Sequence, residues 1–79
     1  MIQFLKFKGK CRTIGGPQKG VECEIPFIFN GKKYNGCTNE HDEDKNPWCS
    51  TNVDANRHHK SDQSQWGYCA SNCPKDFGK

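Results

Sequence analysis

Leucine and methionine each occur once in these 79 residues, and no apolar run is long enough to span a bilayer. Leu, Ile, Val and Phe together number 12, about 15% of the chain, a level that on its own points toward disorder rather than a packed core. No i, i+3, i+4 apolar period appears, so amphipathic helices are excluded as the organising element. Gly-x-Ser-x-Gly, His-Glu-x-x-His and Walker-type glycine loops are absent, and so small a core would struggle to hold a catalytic site; an independent enzyme is not expected. There is no Asn-x-Ser/Thr acceptor for N-glycosylation. The opening residues Met1–Lys8 lack the long apolar stretch and small-residue cleavage site of a signal peptide, so a mature form or an excised module is expected.

What the chain does contain is cysteine and aromatic rings. Six cysteines in so short a chain imply a disulfide scaffold, an oxidising and therefore secreted or extracellular setting, and a single domain. Domains of this size are marginal without such staples. Six cysteines allow 15 pairings, and spacing alone does not choose among them.

The net charge of +3 is modest. Lys6, Lys8, Lys10 and Arg12 make a basic N-terminal arm, and Glu40, Asp42, Glu43 and Asp44 a local acidic patch. Such short charge runs are read as solvated segments rather than polyanion sites, and nucleic acid would want a larger basic surface with interleaved rings. Asp42-x-Asp44-x-Asn46 imitates the start of a calcium loop, but Pro47 stands where glycine is needed and Val53 where glutamate is. His41, His58 and His59 lack spaced partners, so no metal and no cofactor are expected.

Leu5 and Phe7 alternate with Lys6 and Lys8, the period of a short half-buried strand or a frayed arm. Gly15-Gly16-Pro17 and Lys19-Gly20 read as loop. Asn30-Gly31, with Phe27-Ile28-Phe29 before it and Lys32-Lys33-Tyr34 after it, predicts a β-hairpin through a type I′ turn, with Phe27 and Phe29 on one face. Trp48–Thr51 and Gln65–Tyr68 suit two further strands, and the polar residues 54–64 between them read as an exposed, mobile loop.

The ordered anchors Gly20, Cys23, Pro26-Phe27-x-Phe29-x-Gly31, Tyr34, Cys37-Thr38, Trp48-Cys49-Ser50-Thr51 and Trp66-Gly67-Tyr68-Cys69 closely resemble a fibronectin type II module, of the kringle-like superfold, over residues 12–69. The resemblance implies a small disulfide-rich, mostly β fold with two short antiparallel sheets and long loops. It also implies the pairs Cys23–Cys49 and Cys37–Cys69, with Cys11–Cys73 as a third pair outside the family's usual four. By the chain-entropy account each bridge contributes about 3–4 kcal/mol, not additively. The expected layout is a basic arm or short strand over 1–10, the module over 11–74 and a tail over 75–79.

In type II modules the positions matching Phe29, Trp48 and Trp66 form a shallow aromatic surface, which makes these three the candidate ligand-binding residues. Tyr34 is kept with them, its role between packing and contact left open, while Phe27 and Tyr68 are assigned to packing. Two departures stand out. Nineteen residues separate Cys49 from Cys69, more than the family pattern leads one to expect, and Val53 stands where an aromatic often completes the pocket. The implied function is non-catalytic binding of collagen or gelatin-like strands by a monomer. Choline phospholipid or glycan binding, a structural role in a larger extracellular protein, and a stand-alone secreted effector such as a venom or host-defence peptide, acting through the basic arm on a membrane, channel or protease, are the alternatives.

Overall fold

A computed structural model of the protein describes residues 11–60 and 64–77, so the expected strand at Leu5–Phe7 lies outside the described residues. Five short strands follow in order: β1 (Thr13–Gly15), β2 (Phe27–Phe29), β3 (Lys32–Tyr34), β4 (Trp48–Ser50) and β5 (Trp66–Cys69). They form two antiparallel sheets, one with the order β1-β5-β4 and the other the β2-β3 hairpin. The architecture is the small, disulfide-rich, mostly β one expected.

The hairpin follows from its turn. Asn30 and Gly31 adopt φ values of 56° and 76°, the left-handed pair that a type I′ turn requires and that asparagine and glycine tolerate. Phe27 is thereby set opposite Tyr34, and Phe29 opposite Lys32. In the larger sheet, β5 lies between β1 and β4, pairing Thr13 with Cys69 and Trp48 with Tyr68. Position 67 must be glycine here, because a Cβ would meet the Gln18 carbonyl oxygen and lie 2.6 Å from Thr13 Cγ2. Gly15 belongs to β1 rather than to the expected loop. A bulge between Thr13 and Gly15 lets the strand follow β5, a pairing that three local residues do not announce.

The core is as much sulfur as hydrocarbon. The fully or nearly closed-off apolar residues are the six cysteines with Phe27, Tyr34 and Trp48, and buried Thr13, Thr38 and Ser50 join them. The bridges are Cys11–Cys73, Cys23–Cys49 and Cys37–Cys69, the pairing that the resemblance implied, with Cα separations of 5.1, 5.7 and 6.6 Å. Sulfurs from all three bridges gather together, those of Cys11, Cys23, Cys37, Cys69 and Cys73 lying within 4.8 Å of one another. Every one of these sulfurs is committed to a disulfide, which removes the thiolate a metal would need.

Residues 54–60 are not the free loop that their polarity suggests. His59 N–H donates to the Ile28 carbonyl, and Ile28 N–H to that of Arg57, both at 2.8 Å, so the segment lies along the outer edge of β2. Arg57 Nε adds a bond to the Pro26 carbonyl at 2.9 Å. An edge strand with unpaired backbone groups offers such a segment its partners, whatever its side chains. Lys75 and Asp76 dock likewise, with Asp76 N–H on the Cys37 carbonyl at 2.8 Å and Asn35 N–H on the Asp76 carboxylate.

Candidate functional site

The site grows from the hairpin and β4. Phe27, wholly buried, packs at 5.3 Å against both Tyr34 and Trp48 and sets the floor. Trp48 is held from two directions. Its backbone exchanges a pair of hydrogen bonds with Thr38, at 2.8 and 3.0 Å, and its indole N–H donates to the Glu40 carbonyl at 2.7 Å. The loop from Thr38 to Pro47 is therefore closed at its base and wrapped on the indole.

Around this fixed ring opens a cavity of about 260 Å³ lined by Phe29, His41, Asp42, Trp48, His59 and Trp66. The rings meet edge to face. Phe29 stands at 87° to Trp48, 88° to His41 and 81° to His59, with centroids 5.1–5.5 Å apart. Trp66 stands at 74° to Trp48. Edge-to-face contacts satisfy the ring quadrupoles, and a cavity walled by rings is chemically able to accept an apolar or cationic group.

Three of the four candidate rings, Phe29, Trp48 and Trp66, are brought together. Tyr34 is not among the lining residues: it is 1% exposed, lies behind Phe27, and donates its hydroxyl proton to Glu40 Oε1 at 2.6 Å. Burial, reinforced by the adjacent carboxylate, pushes the Tyr34 phenol up to about 12. Glu40 is held below its ordinary value by that hydroxyl and by Lys32, whose ammonium sits 3.1 Å away.

His41, Asp42 and His59 were not foreseen as wall residues. Asp42 is fixed by its own loop, its Oδ2 accepting the backbone N–H of Asn46 at 2.9 Å and of Asp44 at 3.1 Å, and its Oδ1 accepting the Tyr68 hydroxyl at 2.7 Å. The Asn46 amide, then the Tyr68 hydroxyl, hold its carboxyl below the usual range, so it is ionised at neutral pH. Tyr68 in turn packs at 5.0 Å and 89° against Trp66, joining the acidic loop to the ring wall.

His59 comes from the long stretch between Cys49 and Cys69. Its ring lies 5.4 Å from Phe29 and 5.8 Å from Trp48, and its Nδ1 is 2.6 Å from Ser50 Oγ. Burial lowers its pKa. Residue 59 forms an isolated antiparallel bridge with Val53, the position that carries no ring. The two departures read from the sequence, the Cys49–Cys69 spacing and Val53, meet at this point: the segment folds back and brings an imidazole to the wall beside Trp48. Taken together those two departures were the available signal, although neither names position 59.

The family model for the fibronectin type II domain matches residues 23–69, a span holding both Cys23–Cys49 and Cys37–Cys69. This chain belongs to the fibronectin type II family. Over 57 residues, 72% of its length, the type II chain is 39% identical to the 72 kDa type IV collagenase of Gallus gallus. Over 70 residues, 81% of its length, it is 42% identical to matrix metalloproteinase-9 of Canis lupus familiaris. It spans only 8% and 9% of those two proteins.

Proposed function

We propose that this is a non-catalytic extracellular ligand-binding module whose aromatic cavity receives collagen or gelatin-like strands. The observation that carries the reading is the open wall of Phe29, Trp48 and Trp66, preassembled edge to face on a disulfide-locked frame. An extended, proline-rich strand presents its side chains without first losing folded structure, and aromatic grooves are the usual receivers of such strands. One similar protein is named for type IV collagen, which agrees with this choice of ligand. Three disulfides support an oxidising, extracellular setting. A single protomer presents all six lining residues, in keeping with a monomer.

A second reading, phosphocholine, gains from the Asp42 carboxylate on the same wall, since a quaternary ammonium is drawn both to ring faces and to negative charge. One experiment separates the two: titration of the oxidised, 15N-labelled protein with a gelatin peptide and then with phosphocholine. Saturable indole shifts at Trp48 and Trp66 with the peptide are expected. Shifts with phosphocholine alone would move the ligand class, and unmoved indoles with both would overturn the pocket. Deleting residues 1–9 leaves gelatin binding intact on this reading and abolishes activity for an effector that acts through its basic arm.

A further inference from the structure

Ser50 is the hydrogen-bond partner of His59 Nδ1. The buried Ser50 hydroxyl has one proton, and its Oγ lies 3.0 Å from the Asn52 carbonyl, which can only accept. The same Oγ accepts the Asn52 backbone N–H at 3.3 Å. The Asn52 carbonyl also accepts the Lys60 backbone N–H at 2.9 Å, and its second lone pair takes the Ser50 proton when Nδ1 carries the hydrogen and donates it across the 2.6 Å contact. The neutral ring then has its lone pair on Nε2, and among the described residues Nε2 has no partner. Trp48 contributes no competing donor, because its N–H is already taken by Glu40.

We infer that His59 is held as the Nδ1–H tautomer and is a specificity-determining residue of the aromatic cavity, its Nε2 accepting an N–H of the bound strand, so that protonation of His59 turns acceptor into charged donor and releases the ligand. This deepens the strand-binding reading above and rests on it. The ligand it selects is one that offers an N–H beside an apolar group, as the backbone of a glycine-rich extended peptide does. The sign of the pH effect follows directly. Burial favours the neutral ring, a ligand N–H favours it further, and affinity falls as pH drops through the depressed histidine range.

The charged surroundings do not reverse this. Strands β2 and β4, which flank the ring, bring no titratable side chain besides the disulfide-bonded Cys49. On the segment carrying His59, Asp54 faces His58 at 3.7 Å and Arg57 faces Glu24 at 3.6 Å, with Lys60 next in sequence. The opposite loop supplies His41, which meets Phe29, and Asp42, whose carboxylate already accepts three protein donors. His41 is the group to be told apart from His59.

The test has two arms. A long-range 1H–15N spectrum of the ligand-free protein should show His59 as the Nδ1–H tautomer; an Nε2–H tautomer overturns the inference whatever the ligand does. Gelatin affinity is then measured at about pH 7.5 and about pH 5, with near-UV circular dichroism confirming the fold at both. The wild type should lose about tenfold or more on acidification, and H41N should keep that loss. H59F should bind about tenfold more weakly than wild type at the higher pH, with a flat profile. If H59F does not fold, H59Q, which offers polar atoms without titrating, should give the flat profile. Acid-independent binding by the wild type, or an acid loss that survives in the His59 variants or vanishes in H41N, overturns the inference alone. No gelatin binding at either pH overturns the proposed function and this inference with it.

Discussion

Around the sulfur cluster everything is closed, all six cysteines being 7% exposed or less, whereas the aromatic wall, drawn from β2 as well as β4 and β5, stands open, with Trp66 only partly buried and Phe29 likewise. One region is held by covalent bonds and the other by ring contacts worth about 0.5–1.5 kcal/mol each beyond area burial. The difference teaches how a chain with one leucine keeps aromatic surface free. Where bridges constrain the chain, rings need not all be spent on filling the interior. Trp48 is the exception that joins the regions: at 6% exposure it belongs to the core, yet it lines the cavity.

The comparison breaks most completely if the covalent region is removed. Reduction should unfold the domain and abolish the indole shifts, since each bridge is worth about 3–4 kcal/mol and a small domain has little stability beyond that; near-UV circular dichroism with and without reductant checks it. Next in size, Trp48→Ala should cost about 3–5 kcal/mol in a denaturant melt and all ligand binding, because one side chain serves both regions. Trp66→Ala sharpens the contrast: gelatin affinity should fall about tenfold or more while stability drops by about 1–2 kcal/mol, a partly exposed ring having less packing to lose. Smallest is Tyr34→Phe, which removes the bond to Glu40 at a cost of about 1 kcal/mol and leaves the cavity lining intact.

Tyr34→Phe also carries a pH signature. The folded state depresses the Glu40 carboxyl, so its contribution is present above the ordinary value of 4.5 and is lost as pH falls through the lowered one. Denaturant melts between neutral and acid pH should show a shallower loss of stability in the variant than in the wild type.

How far the sequence could be read depended on whether the relevant chemistry was local. The β2-β3 hairpin was legible because Asn30-Gly31 states its own turn and rings flank it on both sides. Strands β4 and β5 were legible through Trp48 and Trp66. Strand β1 was not, because Thr13-Ile14-Gly15 is a strand only by virtue of lying against β5, more than fifty residues away. Half of the cavity wall was legible by resemblance: Phe29, Trp48 and Trp66. His41, Asp42 and His59 were weighed as metal ligands and set aside, and nothing periodic marks them as wall residues. Asp42 reaches the wall because Thr38 and Trp48 close its loop, and His59 because its segment lies on the edge of β2. Both placements are tertiary, made by backbone bonds that have no signature in side-chain pattern.

Cys11 and Cys73 place the two ends of the bridged segment 5.1 Å apart at their Cα atoms, close to the spacing of neighbouring strands in a sheet. A segment whose ends meet in that way makes a cassette: spliced into the tip of a host hairpin, it would leave the two host strands side by side and their pairing undisturbed. The same closeness makes the domain a natural candidate for circular permutation, with a short linker joining 11 to 73 and new termini cut in the exposed turn at Asn30-Gly31.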